Sequence, residues 1–423
     1  MKRFILLTLC CCLAIGLSAQ TAKEEIFADI YRSASNYYAY PTPTGKLTPP
    51  PAGYKPFYLS HYARHGSRYL IHPKTYEKPL ATMREAESNN VLTPTGKRLL
   101  STLDSIADMA KLRYGELTPL GARQHKGIAE RMYKNFPEVF KGQAQVDARS
   151  TVVIRCILSM MSECMQLKVM NPQLQFKNDA SYHDMYYMNN DDEHLKAQRN
   201  TDEVTAAKAA FRKEHLHPER LMKSLFNNAD YIKWKVDADG LMSDLFSLAA
   251  NMQSHDTNTE LYSLFTKEEC YDMWQLGNVS WYISHGPSPL TKGRMPYLEA
   301  NLLENILNTA DTCIVKKENS ATLRFGHESC ELPLVCLMEL NDYAYQTTDL
   351  NSLADTWRNY RIFPMACNIQ LVFYRKKEND DVLVKVLLNE QEAKLPVESD
   401  LAPYYHWKDV ETYYRNKLAA FKE

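Results

Sequence analysis

The run Arg64-His65-Gly66-Ser67-Arg68 places an imidazole between two guanidiniums across a glycine turn. Two planar, permanently charged forks on either side of such a turn can grip a phosphate bidentately and hold the imidazole against it. Phe57 to Ala63 reads as a strand leading into the turn. The motif therefore falls at a strand's carboxyl end, the edge of an open α/β sheet where ligands bind. Zinc chemistry is not predicted. His61 and His65 would share a face only on a helix, and here they lie in a strand and a turn. His327-Glu328 followed by Glu331 half-matches a zinc-protease helix, but the second histidine of that motif is missing. Arg149 taken by itself, beside a predicted helix start, reads as a salt-bridging surface arginine.

The elements that must hold these residues can be read from pattern. Two helix starts repeat the same chemistry, Leu92-Thr93-Pro94 and Leu117-Thr118-Pro119, with threonine as cap and proline in the first turn. The second helix continues with Ile128, Met132 and Phe136 at four-residue steps. Gln143 to Asp147 is a short strand candidate, and Ser150 is placed to cap an apolar helix from Thr151 to Cys164. From about Met170 to Thr312 the texture turns helical, including Tyr297 to Leu307. After it come a strand at Thr322 to Phe325, a helix at Leu332 to Leu340, a hairpin of Ile369 to Tyr374 with Val382 to Leu388, and a last helix near Val410 to Leu418. Strands alternating with helices predict an α/β sheet.

Composition narrows the classes. The 423 residues carry 50 Lys+Arg against 51 Asp+Glu, with 45% hydrophobic residues. A mainly disordered chain is excluded, and so is a globally basic nucleic-acid binder. Lys2 and Arg3, the apolar run Phe4 to Leu17 and the small residues Ser18-Ala19 read as a signal peptide over residues 1–19. That run is shorter than the ~20 residues a spanning helix needs. The best later candidate, Val152 to Met161, is also short and carries Arg155. The predicted location is periplasmic or secreted, with no membrane span. Seven cysteines follow the leader, Cys156, Cys164, Cys270, Cys313, Cys330, Cys336 and Cys367, an odd number that leaves at least one thiol unpaired. Cys156 and Cys164 on one helix would stand ~12 Å apart, too far for a disulfide.

Four stretches together, RHGSRYL at 64–70, ELTPLGARQH at 116–125, VDARSTVVIRC at 146–156 and RFGHES at 324–329, resemble the histidine phosphatase superfamily in its acid phosphatase and phytase branch. The nearest resemblance is to multiple inositol polyphosphate phosphatases. It implies a phosphoglycerate-mutase-like α/β core of residues 20–170 and 313–423, with a mostly α-helical cap inserted at 171–312. It also implies a phosphomonoesterase acting on phytate and other inositol polyphosphates without a metal or cofactor. Residue by residue, His65 becomes the nucleophile, Arg64, Arg68 and Arg149 the clamp on the phosphoryl oxygens, and His327 a second phosphate ligand. Splitting the reaction in two and stabilising charge both matter here, because phosphate monoester hydrolysis is among the slowest uncatalysed reactions.

The proton donor departs from the family pattern. The classical pair is His-Asp and the inositol polyphosphate branch usually carries His-Ala-Glu, whereas this chain has His327-Glu328-Ser329. Glu328 is the expected donor, Glu331 its rival one helical turn on, and the donor's pKa must rise above the ordinary ~4.3. His183-Asp184 spells the classical pair without the strand and glycine before it, and is assigned a structural or cap-lining place. Further phosphates would meet His61, Lys74, Arg123, Lys292 and Arg294, with Tyr69 packing on the ring or shielding the pocket. The competing readings are a broad-specificity acid or sugar-phosphate phosphatase, and a non-catalytic inositol polyphosphate binding protein.

Overall fold

The structure is a computed structural model that describes residues 20–189, 192–316, 318–377 and 380–421. The expected leader at 1–19 lies outside them. Eight strands form one sheet: β1 (Lys55–Arg64), β2 (Gln145–Ser150), β3 (Gln175–Ala180), β4 (Ser320–Gly326), β5 (Asn368–Arg375), β6 (Val382–Leu388), β7 (Gln391–Glu392) and β8 (Tyr405–His406). Their order is β3-β2-β4-β1-β5-β6-β7, with β8 also on β6. The first four run parallel, and β5 turns antiparallel to β1. Register aligns the strand ends. Arg64 stands opposite Gly326 and Ser150 opposite Phe325. Three neighbouring parallel strands thus end at one level, and the chain leaves them at His65, Thr151 and His327.

Helices cover both faces, as buried parallel strands require. α1 (Pro73–Ser88), α2 (Pro94–Ala110) and α3 (Pro119–Asn135) precede β2, and the Thr93 and Thr118 hydroxyls accept from the Gly96 and Gly121 amides as the repeated cap predicts. α4 (Ile154–Met170) returns along the sheet. Leu59 and Ala63 of β1 pack with Ile128 and Met132 of α3 and Met160 of α4. Tyr58 and Tyr62 face the opposite core. The turn after β1 is pressed onto α3, where a side chain at Gly66 would stand 2.4 Å from the Gly121 carbonyl oxygen. Only glycine permits this approach.

Beyond β3, every named element from Tyr182 to Lys316 is helical, including α5 (Asp202–His215), α6 (Ala238–Met252), α7 (Lys267–His285) and α8 (Ala300–Lys316). α9 (Glu328–Leu337) follows β4, and α10 (Trp407–Ala420) follows β8. The sheet extends past the boundary expected at residue 170, because β3 pairs along its whole length with β2. Its sequence, QFKNDA, is mostly exposed and carries no apolar alternation that would announce an edge strand. On the other side, Tyr69, α1 and α2 share one hydrophobic cluster with Leu241, Leu245 and Leu248 of α6, so residues 69–110 pack with the helical segment rather than with the sheet. All seven cysteines of the described residues are free thiols, Cys156 and Cys164 among them on α4.

Candidate active site

The three strand exits bring together His65, His327 and Glu328. The His65 ring is fully buried and the His327 ring partly so, and their centroids are 5.7 Å apart. His65 Nδ1 donates to the Gly66 carbonyl at 2.9 Å. A carbonyl can only accept, so this bond fixes the tautomer and leaves Nε2 without a proton, facing the pocket 3.5 Å from Glu328 Oε2. Arg64 is fully buried, and its Nη1 donates to the carbonyls of Asn36 (2.7 Å) and Phe363 (3.1 Å). Its Nη2 is thereby aimed at the pocket, 3.0 Å from Glu328 Oε1. Arg68 Nη2 lies 3.8 Å from the same oxygen, and the Asn36 amide donates to it at 3.2 Å. Thr151 Oγ1 lies 3.3 Å from His327 Nε2.

A third guanidinium belongs to Arg155, in the first turn of α4. Burial, then Arg68 and Arg64, depress its pKa, and Arg155 in turn helps to depress His327 and His65. The Nε–H groups of Arg64, Arg68 and Arg155 are all buried without an acceptor. Buried cationic N–H groups left without acceptors on three arginines around two imidazoles suit an anion. His65, His327 and Glu328 could between them offer three ligand atoms to a metal. Three surrounding guanidiniums oppose a dication there, and the donor set fits phosphate instead.

The electrostatics separate the two carboxyls. Burial would raise Glu328, but Arg64, His65 and Arg68 together outweigh it and hold the carboxyl well below its usual range. Glu328 thus sits ionised in the clamp, and burial by itself does not supply the rise a proton donor needs. Glu331, fully buried with both oxygens unpartnered, is pushed well above the usual range by burial. His65 is held well below its usual value, chiefly by burial, and His327 is lowered to about 4 for the same reason. Both are neutral at neutral and mildly acid pH.

Of the residues singled out from sequence, Arg64, His65, Arg68, His327 and Glu328 converge. Arg149 does not. It lies in β2, where Asp147 (2.7 Å), Asp179 (2.9 Å) and Asp184 (3.6 Å) engage its guanidinium, the salt-bridging place its own context suggested. His61 is fully buried, 3.3 Å from Glu163, and cannot touch a substrate. Tyr69 packs against His255 and under Arg113. Arg123 pairs with Asp256 at 2.6 Å, and Arg294 stacks over Phe421. Lys74 and Lys292 are exposed on the surface. Arg155, Asn36 and Thr151 were missed. The misplacement comes from the helix start: Ser150 ends β2, Val153 is still extended, and α4 begins only at Ile154.

This exchange of arginines is testable. Arg155→Ala is expected to lower kcat/KM for a simple phosphomonoester by about 10²-fold or more, the scale of losing one oxyanion donor. Arg149→Ala should leave it near the wild-type value. Steady-state kinetics of the two proteins decide it, and the reverse ranking would return Arg149 to the clamp.

The model of the histidine phosphatase superfamily (branch 2) matches residues 62–389. Among solved structures, the fold is similar to a multiple inositol polyphosphate phosphatase of Bifidobacterium longum. The apo form of that protein has a TM-score of 0.74 at 20% identity, over 90% of this chain and 97% of that one. Its complex with inositol hexasulfate gives 0.75 at 20% identity, over 92% and 98%. The phytase of D. castellii gives 0.66 at 15% identity, over 92% of this chain and 86% of that one. Comparison with curated protein sequences gives no match. With both histidine motifs inside the matched span, at the exits of adjacent parallel strands, the chain belongs to branch 2 of the histidine phosphatase superfamily and is a phosphatase.

Proposed function

We propose that this phosphatase is a secreted or periplasmic enzyme that hydrolyses phytate and other inositol polyphosphates through a phosphohistidine at His65. The scissile phosphate takes the clamp of Arg64, Arg68 and Arg155 and displaces the Glu328 carboxylate. His65 Nε2 attacks phosphorus, forming the P–N bond as the bond to the inositol oxygen breaks, and Glu328 gives that oxygen its proton. Water then attacks the phosphohistidine, with the Glu328 carboxylate taking the proton. Phosphate binding supplies the missing pKa rise, because the dianion takes over the arginines that held Glu328 ionised and adds negative charge beside it. The described residues contain no helix long and apolar enough to cross a membrane, and export rests on the leader sequence.

One observation carries the choice of a polyphosphorylated substrate. Lys196, Arg199, Lys208 and His285 crowd together in the helical segment. Burial and then Arg199 hold Lys196, Lys208 and His285 below their usual values, and His285 also feels Glu328. The cluster connects to the clamp by contact. His285 packs on Trp281 (4.7 Å), Trp281 on Phe363 (5.0 Å), and the Phe363 carbonyl accepts from Arg64. Glu299, the carboxyl acting on Arg199, is itself pushed well up by burial, and Arg199 Nε and His285 Nδ1 are buried without partners. Buried guanidinium and imidazole nitrogens left without partners, as at Arg199 and His285, are costly unless an anion arrives, and a second phosphate on the same ring would be that anion.

The experiment is incubation with phytate in the absence of metal, with products resolved by ion-exchange chromatography. Lower inositol phosphates should accumulate. Arg199→Ala and Lys208→Ala should each cut kcat/KM for phytate about tenfold or more, the worth of one charge-assisted bond, while turnover of p-nitrophenyl phosphate changes little. Equal losses on both substrates would favour the broad-specificity reading.

A further inference from the structure

Behind the phosphate site lies a buried group that the proposed phosphoryl transfer does not use. Glu163 of α4 is fully buried between two fully buried histidines. Its Oε2 is 2.9 Å from His125 Nδ1 of α3, and its Oε1 is 3.3 Å from His61 Nε2 of β1. The Phe325 ring of β4 packs against both imidazoles, at 5.8 and 5.7 Å. The other charged groups acting on the trio are Arg324 of β4, felt by His61, and Glu390 after β6, which feels Glu163. His61 is lowered to about 4, by burial first. A buried carboxylate joined to imidazoles from two different elements is a costly way to fill a core that leucine would fill. Apolar contacts survive a small slide of one element along another. This contact is satisfied at one register only.

The register it would fix is that of α4. Residues 155, 159 and 163 are spaced by four and share one helical face, about 6 Å apart along the axis. Each meets a different station along β1 and its turn. Glu163 meets His61. Ser159 Oγ accepts the Gly66 amide at 3.1 Å and donates to the Arg155 carbonyl at 2.8 Å. Arg155, in the first turn of the helix, acts electrostatically on Arg64, Arg68 and His327, and its Nε–H is buried without an acceptor. The same Gly66 carries the carbonyl that fixes the His65 tautomer.

We infer that Glu163, clasped between His61 and His125, is a positioning residue that sets the register of α4 along β1 and so the reach of Arg155 and the support of the His65 turn. This rests on the reading of His65 and Arg155 as phosphate-handling groups. Sliding one group of the site by about 1 Å is enough to cost up to 10²-fold in rate, and Arg155 sits about two helical turns from its anchor at Glu163.

A double-mutant cycle on the full-length protein tests it, with p-nitrophenyl phosphate turnover and inorganic phosphate binding by calorimetry as readouts. Glu163→Gln removes the charge and keeps the shape; it should lower kcat/KM about tenfold and weaken phosphate binding. In an Arg155→Ala background the same substitution should cost clearly less than it does alone, because the arginine it positions is gone and only the support of the His65 turn remains to be lost. His125→Gln repeats the cycle from the other partner should Glu163→Gln not fold. Losses that simply multiply, or a lower Tm with unchanged kcat/KM and phosphate affinity, would overturn the inference. A wild-type protein that neither binds phosphate nor turns over the ester would instead overturn the reading of the site itself.

Discussion

His65→Ala is expected to lose phosphomonoester turnover by about 10⁴-fold or more, the scale seen when a covalent nucleophile is removed, and to form no acid-labile phosphoenzyme. The geometry explains why no neighbour can substitute. His65 has one ring nitrogen tied by its proton to a fixed carbonyl and the other buried and facing the clamp, 3.5 Å from Glu328 Oε2. Burial keeps that nitrogen unprotonated well below the ordinary imidazole value, so the nucleophile stays available in mildly acid solution. His327 is equally neutral but lies beside Thr151 and Cys156, one strand away. Phosphoenzyme trapping after brief exposure to labelled substrate, quenched and then split between acid and alkali, measures the intermediate directly. EDTA should leave the wild-type rate intact, because three guanidiniums already supply the charge a metal would bring. An unchanged phosphoenzyme in His65→Ala, or a rate restored by added metal, would refute the assignment.

The residues that were legible share a property: their chemistry is compressed into contiguous sequence. Arg64, His65 and Arg68 follow one strand, and His327 and Glu328 follow another, so a strand-then-glycine pattern was enough to place them at the sheet's carboxyl edge. Arg155 was lost for a physical reason. Val153 is still extended just before α4, and an apolar run gives no sign of where the helix starts. The signal that could have found it was Arg155 itself, a single charge in the apolar run Val152 to Met161. A lone cation in such a helix is retained only where it meets an anion. Asn36 could not be read at all, because it acts through its backbone carbonyl on Arg64 and its amide on Glu328, nearly three hundred positions away. The cluster of Lys196, Arg199, Lys208 and His285 is likewise assembled by packing of helices with no shared motif. His61 shows the opposite error. A histidine near a motif was counted toward the substrate, whereas strand alternation turns it to the α4 face, with Leu59 and Ala63.

Glu328→Gln is expected to separate substrates by their leaving groups. An inositol alkoxide departs poorly unless protonated as the bond breaks, whereas p-nitrophenolate departs without help. The variant should therefore lose about 10²-fold or more in kcat on inositol phosphates, the usual worth of general acid catalysis, and keep most of its phosphoenzyme formation from the aryl ester. Glu331→Gln is the control. Its side chain is fully buried and already uncharged, pushed up by burial against the single opposing effect of Arg64, and an isosteric amide should leave kcat close to wild type. The pH profile gives the sign. In the free protein Glu328 is ionised, its pKa depressed below the ordinary value; once phosphate fills the clamp the pKa moves up, and only the protonated fraction can act. The wild-type kcat on phytate should fall as pH rises through that value. Glu328→Gln should lose this alkaline limb, whereas the acid side, set by His65 well below 6.5, stays in place. Should Glu331→Gln lose both the alkaline limb and the leaving-group dependence while Glu328→Gln keeps them, the donor is Glu331, and Glu328 is only the anion that holds the empty clamp together.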